Sequence, residues 1–140
     1  MDEIFLLIQA RLADQVKVLT IIDMDWGQLE TQEETYPVTF PCALIDIPDV
    51  VWEKTGVTKQ PGTVTVRVKV AINMLDDTHF SSGTVNDAVA RLQVARDSDN
   101  ALKLYLAGSF TQLDRTHTRQ YNLPGAIKVV ETEYETVIQD

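Results

Sequence analysis

Apolar and polar residues alternate strictly along residues 64–74. Val64, Val66, Val68, Val70, Ile72 and Met74 are separated by Thr65, Arg67, Lys69, Ala71 and Asn73. Successive side chains of a strand point to opposite faces, so this stretch predicts a long two-faced β-strand over 63–74. Its valine side needs a core. Its other side, carrying Arg67 and Lys69, looks at water, a ligand or another copy of the chain.

Similar periodicities lay out the rest. Ile4, Ile8 and Leu12 recur at steps of four with Phe5 beside them, which predicts a helix over 3–13. VKVLTII (16–22) predicts a short strand, and the polar DMDWGQLETQEET (23–35) a loop. YPVTFPCALIDI (36–47) predicts a second strand, in which Pro37 and Pro41 lack an amide donor and suit an edge or a bulge. Residues 48–62, punctuated by Pro48, Gly56, Pro61 and Gly62, then connect it to the valine strand. The two strands form a long antiparallel hairpin with an extended tip, and connections of this length are often functional.

Downstream, Val85, Val89, Leu92 and Ala95 or Arg96 have helical spacing, behind a capping-box-like Thr84 and Asp87. DSDN (97–100) predicts an interruption, and ALKLYLAG a resumed helix with Gly108 as C-cap. TQLDRTHTRQYN (111–122) alternates but is polar on both faces. LPGA suits a type II turn, with Pro second and Gly third, and IKVVETEYETVI (127–138) is the last strand. Placing Pro124–Gly125 at the turn centre sets Arg115 across from Tyr134 and Arg119 across from Val130. The same register sets Asp114 across from Glu135, a like-charge pair that weighs against it. The order implies a single α+β domain over 1–140: an antiparallel sheet with a long β-hairpin and helices packed on one face. Val64 through Met74 then face the helices.

Composition narrows the function. A chain of 140 residues that is 44% hydrophobic fits one globular domain. No apolar run reaches 18 residues, so no membrane span is predicted. The N-terminal apolar run follows Asp2 and Glu3 rather than a basic leader, which predicts a helix instead of a signal peptide, and cytoplasmic synthesis. The net charge is −9, from 12 basic and 21 acidic residues. Tight nucleic-acid binding needs clustered cations that release counterions, so sequence-specific binding is not expected. An acidic wall can still border nucleic acid without holding it. Cys42 is the single cysteine, which excludes an internal disulfide; beside Phe40 and Leu44 at strand spacing, it reads as a small buried apolar group.

Chemistry-bearing patterns are sparse. His79 and His117 lie far apart with no cysteine neighbours, and no metal site is predicted from them. Asp23 and Asp25 have the spacing of a Mg²⁺-holding pair, but so short a spacing recurs by chance, and a solvated loop is the simpler account. Asp76–Asp77 reads as turn residues. The glycines match no phosphate loop, and no nucleophile elbow exists. Glu131, Glu133 and Glu135 share one face of the last strand, opposite Thr132, Tyr134 and Thr136. Without a partner base or nucleophile they read as acidic surface. Trp26 and Trp52 fall in predicted loops, either as packing at the loop base or as interface anchors. No catalytic residue, metal or cofactor is predicted, and the chain is not expected to be an enzyme.

Long strands with wet faces leave edges and surfaces that symmetric assembly uses. The candidate interface residues are Trp52, Val57, Arg67, Lys69, Arg115, Arg119, Glu131 and Glu133, with Arg67 and Lys69 positioned to meet the carboxylates of a neighbouring copy. TFPCALIDI (39–47), the Trp52-containing connection, GTVTVRVKVAI (62–72), the helix from Thr84 and GSFTQLDRTHTR (108–119) resemble, in order and spacing, the tail terminator or tail-completion (head–tail joining) proteins of long-tailed phages. That resemblance implies a non-catalytic structural protein of phage or prophage assembly. It implies a homo-oligomeric ring, commonly a hexamer, that caps the tail tube, with tail-tube and head-completion proteins as partners. The location would be the host cytoplasm during assembly and the virion tail or neck afterwards. An acidic composition would suit a channel past which DNA slides. The QPG and PDVVW stretches become the hairpin tip, a candidate for contact with a neighbour or the tube, whereas the acidic loop 28–34 has no counterpart. Two other classes stay open: a non-catalytic binding or adaptor module of another tail-like or secretion machine, and a small enzyme, which would need a concave pocket with convergent polar groups.

Overall fold

A computed structural model describes residues 2–31, 35–75 and 79–140. Along them run α1 (Asp2–Gln15), β1 (Ile21–Met24), β2 (Cys42–Trp52), β3 (Pro61–Asn73), α2 (Val85–Leu102), β4 (Asp114–Leu123) and β5 (Ile127–Gln139), with a 3₁₀ turn at Gln28–Glu30. The strands make one sheet in the order β1-β2-β3-β5-β4, so the valine strand lies at its centre. The class is α+β, as the alternation of periods predicts. Val64, Val66, Val68, Val70 and Ile72 pack against Ile4, Ile8 and Leu12 of α1 and Val94, Ala101 and Leu102 of α2. Each buried aliphatic contributes roughly 1.5–3 kcal/mol relative to exposure. A one-residue slip of β3 would turn the whole row outward, so its register is firmly set.

Several elements depart from expectation, each for a local reason. The first strand begins at Ile21, not Val16: Val16 donates its amide to Leu12 and is buried as the end of α1. β1 pairs with β2 in parallel, so the sheet is mixed although mostly antiparallel. A parallel neighbour needs a long crossover, and Leu29, Tyr36, Val38 and Phe40 of the connection between the two strands pack on the face opposite the helices. Residues 36–41 are therefore not strand. β2 starts at Cys42 and continues through Trp52, well into the predicted connection, which shortens the hairpin tip to residues 53–60. The bulge lies at neither Pro37 nor Pro41 but between Asp46 and Asp49, where Pro48 lacks a ladder donor.

α2 runs unbroken through DSDN. Ser98 Oγ donates to the Val94 carbonyl at 2.8 Å, and Gln93 Nε2 donates to Asp97 at 3.0 Å, so two of these positions are tied into the helix by side-chain bonds. The buried stripe is Ala88, Val94, Ser98, Ala101 and Leu102, which leaves Val89 exposed. Thr84 is the N-cap without a side-chain capping bond. The helix stops at Leu102, and Gly108 caps nothing. Its φ is +59°, and a Cβ there would lie 2.1 Å from Glu3 Oε1. Glu3 accepts bonds from the Ser109 amide (3.1 Å) and hydroxyl (2.9 Å), pinning the start of α1 to this turn.

The closing hairpin has three loop residues rather than two, with Gly125 at φ +89° and Ala126 at φ +60°. The extra residue moves Arg119 from the expected Val130 to Glu131. A bulge between Arg115 and His117 restores the expected pairs farther on: Arg115 with Tyr134, and Asp114 with Glu135. The like-charge pair is thus present, on two exposed side chains that water screens.

Candidate functional site

The face opposite the helices is organised in cross-strand rows. At one end, Cys42, Leu44, Ala71, Ile127 and Val129 form a second, smaller core under Leu29, Tyr36, Val38 and Phe40 of the crossover. Tyr36 fixes that cover by donating to the Pro124 carbonyl at 2.9 Å. Burial pushes the Cys42 thiol up to about 11, so it stays protonated and inert.

The middle rows are charged. Lys69 pairs with Glu131 and Arg67 with Glu133 in the β3–β5 ladder, and Arg119 lies across Glu131 on β4. Arg67 reaches Glu133 at 3.0 Å and Glu131 at 4.0 Å, and Arg119 Nε donates to Glu131 at 2.6 Å while stacking 5.0 Å from the Tyr121 ring. Lys69 instead turns to the crossover, with Nζ 2.9 Å from both Asp25 and Glu30. Burial alone would lower its affinity for a proton, but the bonds to Glu30 and Asp25 outweigh that and hold it above the ordinary lysine range. The carboxylates that meet Arg67 and Lys69 are thus the chain's own. Part of the loop 28–34 acquires a role here, since Glu30 closes over Lys69; residues 32–34 lie outside the described residues, as do Asp76 and Asp77.

Arg115 goes the other way. The β4 bulge turns it to the helix side, where it pairs with Asp99 of α2. Tyr134 donates to the second Asp99 oxygen at 2.7 Å. Burial, then Asp99, drive the phenol far above its usual range. A groove of about 530 Å³ beside this triad is lined by Arg96, Asn100, Lys103 and Gln120, among others. It contains no nucleophile–base pair. Among the described residues, no group of three or more His, Cys, Asp or Glu side chains is placed to hold a metal. His79 and His117 are exposed, and among the described residues no helix is long and apolar enough to cross a membrane.

The two tryptophans are not core. Trp26 is 65% exposed and Trp52 40%. Trp52 ends β2 opposite Gly62, and its ring lies where a Gly62 Cβ would be, at 2.7 Å. Val57 stands 65% exposed on the hairpin tip. A second apolar surface lies at the other end of β2: a groove of about 340 Å³ lined by Asp2, Phe5, Leu6, Met24, Ile45, Asp46 and Ile47. The sequence singled out the charged residues and set Tyr134 across from Arg115, but it did not join Lys69 to Asp25 and Glu30, or Arg115 and Tyr134 to Asp99. A lysine at the centre of an interior strand was the available signal, because a buried ammonium demands a carboxylate.

No family model and no curated protein matches the sequence. Among solved structures, a chain from the virion of a native gene transfer agent particle is similar in fold. The TM-score is 0.58 and the identity 12%, over 94% of this chain and 94% of that one.

Proposed function

We propose that this chain is a non-catalytic structural subunit of a phage-like particle, acting as a tail terminator-like ring at the junction of head and tail. The observation that carries the proposal is the end-to-end likeness in fold to a virion component: 94% of each chain is matched. The resemblance to tail terminators in the order and spacing of elements points the same way. The surface agrees with a subunit rather than an enzyme. Its ion pairs are made within the chain, and many large apolar side chains are left exposed, Phe80, Leu75, Leu106, Trp26 and Val57 among them. The net charge of −9 suits a ring whose lumen lets a polyanion pass. Partners would be sister copies, a tail tube and head-completion proteins. Light scattering on a sizing column, with negative-stain microscopy, tests this. Closed rings are expected, and a monomer persisting at high concentration would refute the proposal.

A further inference from the structure

We infer that the outer edge of β4 takes up an extended acidic segment of a partner protein, which adds a strand to the sheet and lays its carboxylates in the groove beside α2, against Arg96 and Lys103. The inference goes beyond the ring reading above and does not depend on it.

The two edges of the sheet are finished differently. Asp25 donates its amide to the Ile45 carbonyl of β2, so the alternate residues of β1, Ile22 and Met24, aim their backbone outward. Side chains plug that edge. Gln9 Nε2 donates to the Ile22 carbonyl at 2.8 Å, Gln28 Nε2 donates to the Met24 carbonyl at 2.9 Å, and the Met24 amide donates to Asp23 at 2.7 Å. β4 forms the opposite edge and has no such plugs. Among the described residues, the backbone of 114–123 bonds only within its ladder with β5. From His117 to Leu123 the strand carries no proline, lysine or bulge, the usual devices against pairing. That stretch offers about 23 Å of unpaired amides and carbonyls to an incoming strand.

Charge selects the strand. One added there turns every second side chain to the helix side, over the groove of about 530 Å³ whose lining includes Thr118 and Gln120 of β4. Arg96, Asn100 and Lys103 line the same groove from α2 and its end. Asp99 is the one carboxylate in the lining, and its two oxygens are taken by Arg115 and Tyr134. Arg96 and Lys103 are exposed and make no ion pair among the described residues. The groove thus holds two uncommitted cations in a chain of net charge −9. They lie two helical turns apart, about 10 Å, and side chains on one face of a strand recur about every 7 Å. A segment with acidic residues at alternate positions therefore meets both.

Other occupants fit less well. A second copy's β4 would bring the same cations to the same place, its β1 edge is plugged, and the open part of its β2 is broken by Pro48 and a bulge. Two cations are too few to hold nucleic acid on an acidic chain, and a phosphate backbone has no donors for the strand's carbonyls.

A tethered strand tests this. A heptapeptide of alternating threonine and glutamate, joined after Asp140 by a flexible Gly–Ser linker, is presented at a millimolar effective concentration. Amide hydrogen exchange by NMR reads its effect on 117–123. The outward amides there should slow about tenfold or more relative to the linker alone. Fusions with lysine in place of glutamate, or with a central proline, should leave them unchanged. Arg96→Glu/Lys103→Glu should abolish protection by the glutamate fusion and confer it on the lysine fusion. Both positions are exposed, and circular dichroism checks that the variant folds. Unchanged exchange in the glutamate fusion overturns the inference, as does equal protection by the glutamate and lysine fusions. Concentration-dependent protection of these amides in the unfused protein overturns it too, by showing that a second copy takes the edge. The particle mass of the unfused protein judges the ring reading separately.

Discussion

Replacing Lys69 by Met is the sharpest probe of the charged face. Methionine keeps the length and apolar stem of the lysine and removes only its ammonium. Two carboxylates lose their partner, but not equally. Glu30 is 59% exposed and rehydrates, so it contributes little. Asp25 is 8% exposed and keeps only the Gly27 amide at 3.1 Å. Stripping one partner from a buried pair costs about 3–5 kcal/mol, and with one of the two carboxylates free to hydrate the lower end, about 3 kcal/mol, is expected. For a chain of this size that lowers Tm by about 10 °C. Urea unfolding followed by tryptophan fluorescence reads it, at a concentration where wild type and variant have the same particle mass. Adding Asp25→Asn should return part of the loss, with a coupling of at least about 1.5 kcal/mol across the double-mutant cycle. Because the folded-state affinity of Lys69 for its proton is raised, its contribution is complete below its ordinary value of 10.5 and is lost only at higher pH. The gap between wild type and variant should therefore stay flat from pH 7 to about 10. A Lys69→Met protein within about 0.5 kcal/mol of wild type, or a strictly additive cycle, would refute the reasoning.

Three further outcomes are expected. Tyr134→Phe removes the bond to Asp99 and should cost about 2 kcal/mol by the same denaturation assay, since bonds to charged acceptors are worth about 1.5–3 kcal/mol. The Cys42 thiol is raised from 9.0 to about 11 on folding, so its contribution is whole below pH 9 and disappears between pH 9 and 11. Comparing the alkaline unfolding curve with that of Cys42→Ala should isolate a difference in slope worth about 2–3 kcal/mol. Gly62→Ala would drive a methyl to within 2.7 Å of the Trp52 ring. Because Trp52 is partly exposed and can rotate, the cost should be about 1 kcal/mol, accompanied by a shift in tryptophan emission.

The parts of the fold legible in the sequence are those in which one residue's neighbours in the chain decide its place. The alternation from Val64 to Met74 and the step-of-four row in α1 needed no tertiary knowledge, and both apolar rows came out as expected, whereas the other face of β3 proved to be covered in part by the chain's own crossover. The misjudged parts were decided by contacts distant in sequence. YPVTFP has the residues of a strand, yet it lies across the sheet because Leu29, Tyr36, Val38 and Phe40 find an apolar floor there. DSDN looks like a break, yet tertiary packing of Ser98 and Leu102 carries the helix through it. Arg119 missed its partner by one position because a single extra turn residue is invisible to a pairing rule. Of the candidate site, the exposed Val57 was legible as a tip residue, whereas Trp52, read as part of the loop, ends β2. The groove was not, because α1, β1 and β2 build it from three segments well separated in the sequence.

The central position of β3 has a consequence for the order in which the molecule can be made. Its full length pairs with β5, which follows the other four strands of the sheet in the chain, from Asn73 with Ile127 to Pro61 with Gln139. Until those residues emerge, a nascent chain carries a long valine ribbon with one flank unzipped, the kind of intermediate that seeks foreign strands. The threonines, Arg67 and Lys69 interleaved among the valines act as gatekeepers over that interval. Emergence of β5 thereby becomes the checkpoint for closing the fold, because a polypeptide that stops short of it lacks the strand that seals its own middle.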